Sequence, residues 1–203
     1  MLSQLDNIIF PDRCEVLEVA PQRYVYPIYK NGSSSLTKAG YQPVPFEKLP
    51  EINVVEIYVR DPYDRFLSGV QTYLMQNFAL DKKTMLHIVS ENLFLNRHYA
   101  PQFHWLVNLQ RFTNAKIKIN PIEKLSELTA HYDNQQDKDY DISEYFKGNE
   151  KIQFYTSIDK ILTETLLGHT VRFKDIVTLL KLKQPEVYNE VVLRSINLCS
   201  VLE

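Results

Sequence analysis

Little in this sequence marks a special class of protein, and each shortage excludes something. Two cysteines, Cys14 and Cys199, stand near opposite ends of the 203 residues. With no close-spaced pair, zinc ligation of the usual kind is excluded; a disulfide stays open, and two free thiols in a reducing compartment are the expectation. No apolar run approaches the roughly 20 residues of a membrane-spanning helix. The opening residues, Met1 to Asp6, are neither basic nor apolar enough for a secretory leader, and the expected location is cytoplasmic. A formal charge of −2 gives no global attraction for nucleic acid or an acidic membrane, so any anion site must be local. Internal repeats and low-complexity tracts are absent as well.

What is present reads as an ordinary globular protein, with 44 % apolar and 24 % charged residues. The length suits one domain, residues 1–203, with a sizeable core. β-prone runs fall at 14–19, 23–29, 53–59 and 115–119. The third is near-continuously apolar and predicts a central, buried strand. Pro27 places the second at an edge or close to its end. Helices are predicted up to about Tyr41 with Gly40 as cap, after Asp61-Pro62, over 82–95 with Asp81 as cap, and over 102–112. Others follow from the Asn120-Pro-Ile-Glu123 capping signature to about His131, over 157–167 and 172–182, and from Pro185. Residues 42–51 read as an irregular connection and 133–141 as a flexible polar loop. The order predicts an α/β fold, a small central parallel sheet flanked by helices, with a helical part over 142–203.

Two stretches carry the chemistry. In Lys30-Asn-Gly-Ser-Ser-Ser35, Gly32 lets the backbone approach an anion while N–H groups and a helix start converge on its oxygens. Lys30 adds a point charge, and Ser33, Ser34 and Ser35 add hydroxyl donors. The lysine precedes the glycine, so this is not a Walker A loop, which disfavours a nucleotide kinase. Arg60 follows the buried strand, where open α/β sheets place their ligand crevice. Its guanidinium can grip a phosphate bidentately, and Ser68 can complete the same shell. The plainer alternatives are a simple Gly/Ser turn, an Arg60 paired with Asp61 or Asp64, and a Ser68 on a helix surface.

In order and chemistry the two stretches resemble the sulfotransferases that use 3′-phosphoadenosine 5′-phosphosulfate. In that family a Lys-x-Gly-Ser/Thr-Ser/Thr-Ser turn holds the 5′-phosphosulfate, and an Arg-Asp-Pro-x-x-Arg-x-x-Ser motif holds the 3′-phosphate. Here they read Lys30 to Ser35 and Arg60-Asp-Pro-Tyr-Asp-Arg-Phe-Leu-Ser68. A third stretch, His98-Tyr-Ala-Pro-Gln-Phe-His-Trp-Leu106 followed by Lys116–Ile119 and Glu123-Lys-Leu125, is similar to one in carbohydrate sulfotransferases. The resemblance spans residues 23–130. It implies a P-loop-like sulfotransferase fold and a nucleotide co-substrate held by Lys30, Asn31, Gly32, Ser33, Ser34, Ser35, Arg60 and Ser68. It also implies no metal, and an acceptor hydroxyl or amine, with a carbohydrate as first expectation. Lys30 would stabilise charge on the leaving oxygen. His98, in a break between helices and with an ordinary pKa near 6.5, is the first candidate for the base. Glu47, in the interval where relatives keep a catalytic acid, is the second. A nucleotide-binding module of the same fold without turnover is the alternative of a different class.

Overall fold

Strand pairing is set by how the chain turns between its β-prone runs. The computed structural model describes residues 15–76, 80–91, 93, 96–129 and 142–193; Cys14, Cys199, His131 and the expected loop at 133–141 lie outside them. The strands are β1 (Leu17–Ala20), β2 (Arg23–Val25), β3 (Gln42–Pro43), β4 (Val54–Val59), β5 (Lys116–Pro121) and β6 (Thr170–Val171), in the order β3-β1-β2-β4-β5-β6. Among the described residues only the central β2, β4 and β5 are parallel. The expectation of a parallel sheet is corrected: β1, β3 and β6 pair antiparallel, so the fold is α/β with a mixed six-stranded sheet. The turn between β1 and β2, with Gln22 at φ 60°, is too short for anything but an antiparallel return.

The helices are α1 (Ser33–Lys38), α2 (Pro62–Gln76), α3 (Lys82–Glu91), α4 (Gln102–Gln110), α5 (Ser143–Phe146), α6 (Glu150–Lys160), α7 (Phe173–Lys183) and α8 (Pro185–Val187). Two expected caps form: Asp61 Oδ1 accepts the Asp64 amide at 2.8 Å, and Asp81 accepts the Thr84 amide at 3.0 Å. The helix expected from Asn120 does not. The Asn120 side chain lies within β5 and donates to Glu56 at 3.2 Å, and the following Ile122–Glu127 winds as a 3₁₀ helix. Residues 42–51, expected to be irregular, contain β3 and a 3₁₀ helix, Phe46–Glu51.

Along β4 the side chains alternate between two apolar layers. Val55, Ile57 and Val59 face the main core with Phe66 and Val70 of α2, Phe103 and Leu106 of α4 and Ile158 of α6. Tyr58 faces the other side, against Val25, Leu36 of α1, Ile122 and Leu125. Glu56, 7 % exposed, shares that second face. Its carboxylate accepts from Arg23 at 3.0 Å, Lys118 at 3.1 Å, the Tyr58 hydroxyl at 3.1 Å and Asn120. Burial pushes this carboxyl up, but the hydrogen bonds from Arg23 and Lys118 outweigh burial and hold it below the usual range.

Candidate functional site

Because β2 and β4 run parallel, the turn after β2 and Arg60 after β4 emerge at the same edge of the sheet. The Tyr26 amide still bonds to Glu56 O at 2.9 Å, and Pro27, without an N–H, ends the pairing. The chain then turns from Ile28 to Asn31, closed by the Asn31 amide on Ile28 O at 3.0 Å. Lys30 is the third residue of that turn and sits at φ 68°, where glycine is normal; Gly32 follows at φ 75°. A lysine held there costs about 1–3 kcal/mol and needs a firm anchor. Asn31, 2 % exposed, supplies it: Nδ2 donates to Tyr58 O at 2.8 Å and to Gln102 Oε1 at 2.5 Å. Asn31 therefore spends its donors on the protein and fixes the turn.

Beyond the turn, the Ser35 and Leu36 amides bond to Gly32 O, which leaves the earlier Ser33 and Ser34 amides outside the helical pattern. Ser33 and Ser35 are half-buried and Ser34 is exposed. α1 has six residues, so its dipole is a minor source of positive potential beside full side-chain charges.

Those charges converge. Burial, then Arg65 and then Arg60, push the Lys30 ammonium below its ordinary pKa. Among the described residues no carboxylate forms an ion pair with Lys30 or Arg60, and Asp61 is engaged by the Asp64 amide instead. Arg65, 1 % exposed, was legible in the sequence only as a motif position. Its Nε donates to Tyr29 O at 3.0 Å and its Nη1 to Ala100 O, tying α2 to the turn and to the loop before α4. Burial lowers it to about 10, with Asp159 opposing, so it stays charged at neutral pH. Its buried Nη2 has no hydrogen-bond partner among the described residues. Ser68 is half-buried one turn on from Arg65 along α2.

His98 lies in the same group. The His98 amide donates to Asn96 Oδ1 at 2.9 Å, which fixes the orientation of the Asn96 side chain. That oxygen also lies 2.7 Å from His98 Nδ1, so Nδ1 carries the proton and Nε2 keeps its lone pair. Burial, then Lys30, Arg97 and Arg65, push the imidazole down to about 4. It is neutral at pH 7 and a weaker base than its ordinary value suggests. The Arg97 guanidinium stands 4.9 Å from the Tyr29 ring centroid, and the His98 ring 5.5 Å from the same centroid. Gly69 of α2 makes room for this loop. A Cβ there would lie 2.2 Å from His98 O and 2.8 Å from Tyr99 Cα.

Glu47 is not brought to this group. It is exposed on the 3₁₀ helix that precedes β4, at the N-terminal edge of the strand whose C-terminal edge carries Arg60. A groove of about 550 Å³ opens at that far edge, lined by Tyr24, Val44, Lys48, Ile52 and Val54 among others. The residues that sequence reasoning missed are Gln102 and Asp159. Asp159, 2 % exposed, caps α4 by accepting the Gln102 amide at 2.6 Å and the Phe103 amide at 2.8 Å. The Pro101-Gln102 start of a helix was readable; an acid 57 residues further on was not. Among the described residues, no group of three His, Cys, Asp or Glu is placed to hold a metal ion, and no helix is long and apolar enough to cross a membrane.

No family model, curated protein or solved structure matches the chain.

Proposed function

We propose that the protein is a sulfotransferase that moves a sulfuryl group from 3′-phosphoadenosine 5′-phosphosulfate to an acceptor hydroxyl or amine, with a carbohydrate as the first acceptor to test. The observation that carries this is the convergence of Lys30, Arg60 and Arg65 at one sheet edge, with no carboxylate paired to the first two among the described residues. Buried or half-buried like charges repel, and a polyanionic ligand removes that cost. The central parallel strands, with a Gly/Ser turn after one and an arginine after the next, support a P-loop-like sulfotransferase architecture.

The donor set suits the nucleotide. Lys30, Gly32 and the Ser33–Ser35 segment would hold the 5′ end, and Arg60 and Ser68 the 3′-phosphate. The nucleotide supplies the sulfuryl group, which passes to the acceptor oxygen as its bond to the 5′-phosphate oxygen breaks. Lys30 stabilises charge on that oxygen, and His98 Nε2 accepts the acceptor's proton. A binding module without turnover is the second reading, favoured by one observation: the imidazole at about 4 is a poor base until its cationic neighbours are neutralised.

The test is a thermal-shift titration with 3′-phosphoadenosine 5′-phosphate, followed by transfer assays over an acceptor panel. The nucleotide should raise the melting temperature, and Arg60→Ala should abolish the rise. No shift in the unaltered protein overturns the nucleotide assignment, and a shift with no transfer to any acceptor selects the binding module.

A further inference from the structure

Gln102 stands between the two anion-binding stretches. It is fully buried at the first position of α4. Its Oε1 accepts from Asn31 Nδ2 in the turn after β2 and from the Arg60 amide at 3.3 Å after β4. Its Nε2 donates to the Arg60 carbonyl at 3.1 Å. With these last two bonds the side-chain amide pairs with Arg60 as a neighbouring strand would. The register of β4 with β5 ends at Val59 opposite Pro121, so Gln102 extends the pairing by one residue. Gln102 is itself held, because Asp159 of α6 accepts its backbone amide at 2.6 Å. Arg65 also grips the first stretch through Tyr29 O, but its hydrogen bonds do not reach Arg60.

We propose that Gln102 is a positioning residue that fixes the separation of Lys30 and Arg60, and so makes the site prefer a ligand with two anionic groups at one spacing. The geometry stands without the nucleotide reading; the ligand used to probe it rests on that reading. A ligand gripped at two points gains over one gripped at a single point only when the half-sites are held at the matching distance. If turn and strand end move independently, each half still takes its own phosphate and the joint advantage falls.

The experiment compares Gln102→Met, which keeps the volume and removes the hydrogen bonds, with the unaltered protein. Calorimetric titrations use adenosine 3′,5′-bisphosphate, adenosine 3′-monophosphate and adenosine 5′-monophosphate. Affinity for the bisphosphate should fall on the order of tenfold while each monophosphate changes by less than about twofold. Asn108→Ala is the control: Asn108 is fully buried on the same helix and bonds to the Tyr26 hydroxyl at 3.0 Å. It should lose stability and leave the ratio of affinities unchanged.

Equal weakening of all three ligands, or an unchanged bisphosphate affinity, overturns the proposal. Hydrogen exchange without ligand gives a second reading, also usable with Gln102→Ala. The Arg60 and Asn31 amides should lose protection together, about tenfold or more, while Ile57 and Ile119 keep theirs. Unchanged protection at Arg60 and Asn31 overturns the clamp. If the unaltered protein binds none of the nucleotides, the sulfotransferase reading fails and the exchange experiment still decides the role of Gln102.

Discussion

Midway along β4, Arg23 and Lys118 approach the Glu56 carboxylate at 3.0 and 3.1 Å. At the end of the same strand, Lys30, Arg60 and Arg65 approach one another, and neither Lys30 nor Arg60 has an acidic partner among the described residues. The first group is complete. Its carboxylate is surrounded by donors, its basic side chains reach toward water, and it belongs to the fold. In the second group, burial and then the two neighbouring arginines push the Lys30 ammonium below its ordinary pKa. Such an arrangement persists where a ligand brings the missing charge.

The largest expected effect is on catalysis. On the proposed sulfotransferase reading, Lys30→Ala should lower kcat for sulfuryl transfer on the order of 10²–10³-fold, the scale for losing one donor to a developing oxyanion. Its melting temperature should not fall, because no ion-pair partner among the described residues is orphaned. A loss of stability equal to that of a Glu56 variant would place Lys30 with the structural cations and break the comparison.

Next comes Glu56→Ala. Breaking a fully buried pair costs about 3–5 kcal/mol, but the Arg23 and Lys118 side chains are 36 % and 42 % exposed and can turn to solvent. A destabilisation of about 2 kcal/mol in urea is expected on that account, with nucleotide affinity unchanged. An equal loss in Arg60→Ala would erase the distinction between the two groups.

The smallest effect is on pH dependence. Burial and nearby cations push His98 down to about 4, and burial and then Arg65 push His104 down to about 3. Unfolded, both take up protons from near 6.5, so the unfolded state holds more protons below that pH. Their contribution is complete above 6.5 and is lost as pH falls toward 4. Asp159, raised to about 6 by burial, acts in the opposite direction. The folded chain binds that proton first, so protonation of Asp159 favours folding as pH falls from 6 toward 4. Two histidines against one aspartate leave a net loss of stability on acidification. Sulfate bound at the edge would offset Lys30 and Arg65 and return His98 toward its ordinary value. At fixed ionic strength, sulfate should therefore raise the melting temperature more at pH 5.5 than at 7.5. Equal shifts at the two pH values would remove His98 from the electrostatic group.

Legibility followed the range of the contacts. β4, the Asp61 and Asp81 caps and the turn from Lys30 to Gly32 depend on neighbours within a few residues, and the sequence displays them. Asn120 looked like a cap because nothing local reveals Glu56, 64 residues upstream, as its partner. β3 and β6 have two residues each and no periodicity to read. Glu47 lies in the interval that the resemblance singles out, but that interval folds at the opposite edge of the sheet. Lys30 and Arg60 could be chosen from their spacing. That Asn31 serves as anchor, that Arg65 is buried and that Gln102 joins the two stretches depends on carbonyls and amides brought together by the fold.

Gly69 is a point at which the molecule has no slack. The distance between α2 and the loop carrying His98 is set by a missing methyl group at a position adjacent to Ser68. Any larger residue would act as a wedge against the His98 and Tyr99 backbone and, because Arg65 Nη1 donates to Ala100 O in the same loop, would disturb His98 and Arg65 together. Size at position 69 thus sets how closely α2 and this loop approach, without altering a single charged side chain.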